Sequence, residues 1–237
     1  MDVKSARTIV VTGANRGLGL EFTRQLLARG ERVVAGCRQP GHADALTELA
    51  GAHPGHLHVA PLDVADARSR QAFVAEVAAS HEAVDLLVNN AGVLPAGEKF
   101  GALDADVLEH TLRVNTVAPL MLAQALAPLL AKGRKPRVFN LSSRLGAIAL
   151  AQSFGTPSYA ISKAALNMAT VQMAHALKPM GIGVLAASPG WVRTEMGGSN
   201  APVTASESVR DLLDMLDRRE DLGAGEFVGR DGEVLPW

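Results

Sequence analysis

Short apolar runs alternate with longer amphipathic stretches along almost the whole chain. The short runs are rich in Val, Leu and Ala and carry few polar residues, a pattern typical of strands buried on both faces of a parallel sheet. We expect such strands at residues 8–12, 32–37, 57–62, 84–88, 137–141 and 183–187. Two further apolar pairs, 227–228 and 234–235, flank a hairpin-like turn.

The stretches between these runs have apolar residues three or four positions apart, as in amphipathic helices. We expect helices after Gly19 and up to Gly30, and at about residues 43–49, 66–80, 104–131, from 157 onward and 206–219. This alternation predicts an α/β fold with about seven parallel strands and helices on both faces of the sheet. The length suits a single doubly wound Rossmann-fold domain that spans residues 1–237.

Composition and charge narrow the functional class. The net charge of −1 gives no reason to expect nucleic-acid binding or an anionic membrane surface. Cys37 is the only cysteine, which favours a reducing compartment. Residues 1–7 carry no apolar signal core, and the longest apolar run, 117–131, is too short to span a bilayer comfortably. We therefore expect a cytoplasmic protein without a membrane segment, and the histidine spacings predict no metal site.

A glycine-rich turn, with Gly13, Gly17 and Gly19, joins the first strand to the first helix. Glycines let the backbone approach a pyrophosphate, and the helix N-terminus offers free N–H groups, so the segment is a candidate dinucleotide cradle. The spacing differs from the G-x-G-x-x-G pattern of many dehydrogenases. A plain turn between strand and helix remains the alternative.

The second strand ends at Cys37 and Arg38, where an acidic residue would bind the ribose 2′-hydroxyl of NAD. Neither residue is acidic, whereas Arg38 and Arg16 are guanidinium groups suited to a 2′-phosphate. The sequence therefore favours NADP(H) over NAD(H). The alternative is that both arginines are ordinary surface residues.

Tyr159 and Lys163 are four positions apart in a predicted helix, so they lie on the same face. Thr156 is the expected N-cap and Pro157 the first helical residue. A nearby cation lowers the pKa of a phenol from its usual value of about 10, which makes the pair a workable acid and base. Alternatively Tyr159, the only tyrosine, caps a core helix while Lys163 is solvated.

Two further polar features are candidates for a functional role. Ser142 and Ser143 follow the strand at 137–141, at the sheet edge where ligands bind in α/β proteins. Asn115 lies in an apolar helical stretch, where an amide is costly unless it is hydrogen-bonded. It is therefore either a satisfied core amide or a functional one.

Four motifs in order resemble those of the short-chain dehydrogenase/reductase family, and the resemblance covers nearly the whole chain. The motifs are residues 12–19, 89–92, Tyr159 with Lys163, and 189–190. Further details resemble the subgroup of the C-factor protein and the sniffer-type carbonyl reductases; they are residues 142–146, 162–167, 189–194 and 235–237.

The resemblance implies a role for each candidate residue. Tyr159 would be the acid or base, and Lys163 would hold the nicotinamide ribose and lower the tyrosine pKa. Ser143 would bind the substrate oxygen, with Ser142 as a rival because the interval to Tyr159 is long, and Asn115 would hold a relay water. The implied cofactor-binding residues are Gly13, Asn15, Arg16, Gly17, Leu18, Gly19, Arg38, Asp63, Val64, Asn90, Ala91, Gly92, Tyr159, Lys163, Pro189, Gly190, Val192 and Thr194.

The implied activity is NADP(H)-dependent reduction of a ketone or aldehyde to an alcohol, with a small-molecule carbonyl or alcohol as substrate. The alternative is an NADP(H)-binding redox sensor or C-factor-like signalling protein. The expected pocket residues, which core packing would explain equally well, are Pro95, Leu145, Ala147, Ile148, Phe154 and Trp191.

The resemblance also implies a homo-oligomer, a dimer or a tetramer. The helices that begin near residues 104 and 157 would pair with their copies. The residues expected on their apolar outer faces are Leu120, Leu122, Met168 and Met173. The alternative is a monomer in which those faces are partly covered.

Overall fold

A seven-stranded parallel sheet runs through the centre of the computed structural model, which describes residues 6–220 and 225–237. Its strands are β1 (Thr8–Thr12), β2 (Arg32–Cys37), β3 (Leu57–Pro61), β4 (Leu86–Asn89), β5 (Arg137–Leu141), β6 (Gly183–Ser188) and β9 (Glu226–Gly229). The charged start of the sequence, residues 1–5, lies outside the described residues. The predicted parallel sheet is confirmed.

The strand order is β3-β2-β1-β4-β5-β6-β9. The chain moves outward in one direction from β1 to β3 and then returns to the other side of β1 with β4. This reversal creates a crevice at the carboxyl ends of β1 and β4, where ligands bind in open α/β sheets. The glycine-rich turn after β1 and the segment after β4 therefore meet at the crevice.

Helices cover both faces of the sheet, as the alternation predicts. They are α1 (Gly17–Ala28), α2 (Asp44–Ala52), α3 (Ala67–Ser80), α4 (Ala105–Leu112), α5 (Ala118–Leu130), α6 (Pro157–Leu177) and α7 (Ala205–Arg218). Within β1, Ile9 and Val11 pack in a core cluster with α1, α2 and α7, whereas Val10 packs in a second cluster with α3, α5 and α6. Burial on both faces explains the lack of polar alternation in the strand.

The long helix expected over 104–131 is not continuous. A π-helical turn, Arg113–Val117, separates α4 from α5. A π turn carries an extra residue relative to an α-helix, and such turns are frequent at functional sites. Apolar periodicity alone did not reveal the interruption because the flanking segments are both helical and amphipathic.

The end of the described chain forms the expected hairpin-like turn. Val228 forms an antiparallel bridge with Val234, and the N–H of Leu235 donates to the carbonyl of Phe227 at 2.8 Å. A small two-stranded parallel sheet, β7 (Val192–Arg193) with β8 (Val203–Thr204), lies beside the main sheet.

Two of the four residues expected on the oligomer surface are core residues instead. Leu122 and Met173 are buried against the sheet, because the faces that carry them are turned toward it. Met168 is 61% exposed, and its α6 neighbour Ile161 and the π-turn residue Val117 are also exposed. Among the described residues, no helix is both long and apolar enough to cross a membrane.

Candidate active site

The glycine-rich turn leaves no room for a side chain at Gly19, in the first turn of α1. A Cβ atom on Gly19 would lie 2.1 Å from the carbonyl oxygen of Gly13, far inside van der Waals contact. Gly13 and Gly17 have φ angles of +63° and +54°, in the left-handed region that favours glycine. Arg16 holds the N-cap position of α1 without a side-chain cap. The first backbone N–H groups of α1, at the crevice, therefore receive no hydrogen bond from the Arg16 side chain.

Asn90 holds this turn in place from the neighbouring strand. Its side-chain nitrogen donates to the carbonyl oxygens of Thr12 at 2.8 Å and Gly13 at 3.2 Å. In return the Thr12 hydroxyl accepts from the backbone N–H groups of Asn90 and Ala91, at 3.0 Å each. The amide nitrogen of Asn90, expected beside the adenosine, is thus used to fix the glycine turn.

The two candidate phosphate-binding arginines are both exposed at the crevice side of the sheet. Arg38 follows β2, and Arg16 forms an ion pair with Glu195, which belongs to the segment after β7. Glu195 is a residue that the sequence reasoning missed, since it lies 179 positions away from Arg16.

The turn after β3 carries the other residues expected near the adenosine. The carboxylate of Asp63 accepts from the N–H of Ala65 at 2.9 Å and so shapes the turn. The side chain of Val64 packs in the core cluster below it. Val64 can therefore meet a ligand only through its backbone.

Tyr159 and Lys163 lie next to each other in the first turns of α6. The Lys163 Nζ atom is 5.5 Å from the centroid of the Tyr159 ring and donates to the carbonyl oxygen of Leu141 at 2.6 Å. The lysine is 5% exposed. Its burial lowers its pKa to about 8, because desolvation disfavours the charged form.

Burial, rather than Lys163, dominates the pKa of Tyr159. Burial raises that pKa above its usual value, and the Ser143 side chain opposes the shift by hydrogen bonding. The ammonium group of Lys163 donates to the Leu141 carbonyl rather than to the phenol. Tyr159 is therefore held as the protonated phenol, the form that can act as an acid.

The two serines after β5 have different surroundings. Ser142 is buried, and its hydroxyl donates to the side-chain oxygen of Asn167 at 2.6 Å. Ser143 is half-buried, and its oxygen accepts from the N–H of Leu145 at 3.2 Å. The Ser143 hydroxyl also hydrogen-bonds to the Tyr159 side chain, so the two groups meet at one point.

Gly146 fixes this serine segment against α6. A Cβ atom at Gly146 would lie 2.6 Å from the backbone carbonyl carbon of Lys163. Only glycine permits so close an approach. The spacing between Ser143 and Gly146 is therefore a packing requirement that places Ser143 beside Tyr159.

Asn115 lies in the π turn and is fully buried. Its side chain accepts from the N–H of Val93 and donates to the Val93 carbonyl and to the Ser162 hydroxyl, each at 2.9 Å. The Ser162 hydroxyl donates in turn to the carbonyl of Tyr159 at 2.7 Å. The amide is thus committed to protein partners and ties the segment after β4 to α6.

The remaining candidate residues close the crevice around these groups. A Cβ atom at Gly92 would lie 3.9 Å from Lys163 Nζ, which places the segment after β4 next to this lysine. The Thr194 side chain lies 3.6 Å from the Cβ position of Gly17, so the segment after β7 reaches over the glycine turn. Gly190 has a φ of +85°, which turns the chain after β6. Pro189 precedes this turn, and Val192 is buried in β7.

An apolar surface lies on the segments that flank the catalytic groups. Leu145, Ile148, Phe154 and Trp191 are all exposed as expected, whereas Ala147 is buried in the core and cannot line a pocket. Phe100, which the sequence reasoning missed, is 84% exposed and meets Phe154 edge to face with centroids 5.8 Å apart. Pro95 lines an open groove with Val93, Leu94, Asp106, Val107, His110 and Thr111.

Comparison with known proteins agrees with this architecture. The family model of the short chain dehydrogenases matches residues 7–203. The C-signal protein of Myxococcus xanthus is 38% identical over 154 residues, which are 65% of this chain and 93% of that protein.

Two solved structures are similar over almost their whole length. The NADPH-bound carbonyl reductase from chicken fatty liver has a TM-score of 0.92 and 36% identity, and the match covers 98% of this chain and 99% of that one. The carbonyl reductase Sniffer of D. melanogaster has a TM-score of 0.92 and 33% identity, with coverage of 98% and 100%. The glycine turn, the tyrosine and lysine pair and these similarities together lead to one conclusion: the chain belongs to the short-chain dehydrogenase family of oxidoreductases.

Proposed function

We propose that the protein reduces a carbonyl compound to an alcohol with NADPH, with Tyr159 as the proton donor. The observation that carries the proposal is the convergence of Tyr159, Lys163 and Ser143 at the carboxyl edge of the sheet. A developing alkoxide is stabilised by hydrogen-bond donors and positive charge. The site offers these as a protonated phenol, a hydroxyl group and a buried ammonium group at one point.

The residues at the crevice fit a dinucleotide. The Cβ-free turn at Gly13, Gly17 and Gly19 and the N–H groups of α1 would hold the pyrophosphate. Arg16 and Arg38 would bind a 2′-phosphate, which supports NADP(H) over NAD(H). Bound NADPH would supply the hydride. The remaining residues proposed to line the nucleotide are Asn15, Leu18, Asp63, Val64, Asn90, Ala91, Gly92, Pro189, Gly190, Val192 and Thr194.

The chain's own residues would manage the proton. Tyr159 would donate its phenolic proton to the substrate oxygen, and Ser143 would donate a hydrogen bond to the same oxygen. Lys163, held by the Leu141 carbonyl, would hold the nicotinamide ribose and stabilise the phenolate that remains. In the reverse direction the phenolate would act as the base. Asn115 would position Tyr159 through Ser162.

A direct test measures binding and turnover separately. Nucleotide fluorescence would follow titrations with NADPH and NADH, and a panel of ketones, aldehydes and quinones would then be added. We expect tighter NADPH binding, and a loss of turnover in Tyr159→Phe of about 10²- to 10⁴-fold. An unchanged thermal midpoint of Tyr159→Phe is the control for folding. Undiminished turnover by this variant would contradict the proposal.

The similarity to the C-signal protein favours a second candidate function. In this alternative the chain is an NADP(H)-binding signalling or redox-sensing protein, and its turnover is incidental. A biological output that survives Tyr159→Phe but is lost with Gly17→Asp, which blocks the glycine turn, would support it. Tight NADPH binding with no turnover across the carbonyl panel would support it as well.

We further propose a homo-oligomer, a dimer or a tetramer, formed through the exposed apolar residues Val117, Ile161 and Met168. These residues replace Leu122 and Met173 of the sequence-based expectation. Sedimentation of the wild type and of Met168→Glu would test the assembly, and a monomeric wild type would contradict it. A cytoplasmic location remains a proposal that rests on the single buried thiol, Cys37.

A further inference from the structure

The first turn of the catalytic helix lacks the cap that its sequence predicts. Thr156 holds the N-cap position, but its φ of 44° and ψ of 54° are left-handed and its side chain makes no capping hydrogen bond. The next residue, Pro157, has no N–H group. The first backbone donor of α6 that needs a partner is therefore the N–H of Ser158.

Glu98 supplies that partner from a distant part of the sequence. One carboxylate oxygen accepts from the N–H of Ser158 at 3.3 Å, and the other accepts from the Ser158 hydroxyl. The two residues are 60 positions apart, and Ser158 is only 2% exposed. A carboxylate at a helix N-terminus also interacts favourably with the helix dipole. Glu98 thus acts as the N-cap that Thr156 does not provide.

The segment that carries Glu98 is linked to α6 on both sides of Tyr159, directly through Glu98 and indirectly through Asn115. Its beginning, Val93, is bound by the side chain of Asn115, which also binds Ser162. The Ser162 hydroxyl donates to the Tyr159 carbonyl. At its other end Glu98 binds Ser158, the residue directly before Tyr159. Residues 93–98 therefore hold the turn that carries the phenol from both sides.

We propose that Glu98 is a positioning residue that sets the place of the Tyr159 phenol relative to Ser143 and Lys163. The proposal rests on the proposed function, in which Tyr159 delivers the proton. Without Glu98 the Ser158 N–H loses its partner, and the left-handed Thr156 no longer leads into a fixed turn. A misplacement of about 1 Å at a reacting group can cost about 10²-fold in rate.

The test compares Glu98→Ala, Glu98→Gln and Glu98→Asp with the matched control Lys99→Ala, which changes an exposed neighbour in the same segment. We expect Glu98→Ala to lower kcat about ten- to hundred-fold while the Kd for NADPH stays unchanged. Glu98→Gln should recover most of kcat, because an amide of equal length can still bond to Ser158. Glu98→Asp should not recover kcat, because its side chain is shorter by one methylene group.

A merely structural role would lower the thermal midpoint without this rank order in kcat. Ser158→Ala adds a coupling test: it should slow the wild type but have little further effect in the Glu98→Ala background. Equal kcat values for Glu98→Ala and Lys99→Ala would overturn the proposal. So would a Glu98→Gln enzyme as slow as Glu98→Ala.

Amide hydrogen exchange separates this inference from the proposed function. Exchange in the peptide that covers residues 156–163 should speed up in Glu98→Ala and stay at the wild-type rate in Lys99→Ala. Exchange does not depend on turnover. An inactive wild type would therefore refute the proposed function alone, whereas unchanged exchange in Glu98→Ala would refute the positioning role even in an active enzyme.

Discussion

At the scale of single residues, the buried Lys163 carries a pH dependence. Its pKa is about 8 in the folded protein against 10.5 for an ordinary lysine. Between these pH values the unfolded chain binds one more proton, so the free energy of unfolding rises with pH. Lys163→Met has no titrating group at this position. As the pH rises, the free energy of unfolding of the wild type should therefore increase relative to that of Lys163→Met by about 3 kcal/mol at most. Urea unfolding of both proteins at pH 7, 8, 9 and 10 measures this difference. Free energies of unfolding that change with pH in parallel in the two proteins would contradict the prediction.

Arg16 and Glu195 lead to a prediction about cofactor choice. The ion pair occupies the guanidinium that would bind a 2′-phosphate. Arg16→Gln should weaken NADPH binding about ten- to hundred-fold, the range for hydrogen bonds to charged groups, and leave NADH binding nearly unchanged. Glu195→Gln should tighten NADPH binding by up to about fivefold, since the competing carboxylate is exposed and weakly held.

Fluorescence titration with both nucleotides measures these effects. Glu21→Gln is a suitable control, because Glu21 pairs with Arg24 on α1 instead. Equal losses for NADPH and NADH in Arg16→Gln would show that Arg16 does not recognise the 2′-phosphate.

At the scale of elements, α7 begins with a capping box. The Thr204 hydroxyl accepts from the N–H of Glu207 at 3.2 Å, and the Glu207 carboxylate accepts from the N–H of Thr204 at 2.9 Å. Thr204→Ala should lower the free energy of unfolding by about 1 kcal/mol, and Thr204→Ser should restore most of it. Urea midpoints with unchanged m-values measure the difference. A Thr204→Ser protein as unstable as Thr204→Ala would exclude the cap as the cause.

The helices show how far local sequence can predict structure. Tyr159 and Lys163 were placed together correctly because four positions along a helix fix their relative orientation. The π turn was not predicted, because the apolar periodicity of the helices continues through it. The cap of α6 was assigned to Thr156, but Glu98 occupies the place, and no local pattern links residues that are 60 positions apart.

At the scale of the whole molecule, one buried carboxylate ties separate segments together. Asp85 accepts from the N–H of Thr8 at 2.7 Å and from the N–H of Arg134 at 2.6 Å. It thus connects the start of β1 with the turn before β5. Asp85→Ala removes the acceptor for both groups and should lower the free energy of unfolding by about 3 kcal/mol. Asp85→Asn keeps one acceptor oxygen, so its free energy of unfolding should fall by less than that of Asp85→Ala. Equal decreases for the two variants in urea unfolding would contradict this prediction.

The sequence by itself determined the parallel α/β fold, because buried strands and amphipathic helices each leave a local apolar pattern. It also identified the glycine turn and the Tyr159 and Lys163 pair, whose spacing is local. Only the tertiary structure decided the strand order, the use of Asn90 and Asn115 as clamps, and the contact of Glu98 with Ser158. It also decided the direction of the Tyr159 pKa shift. The physical reason is that burial and hydrogen bonding at these groups come from segments that meet only when the sheet has formed.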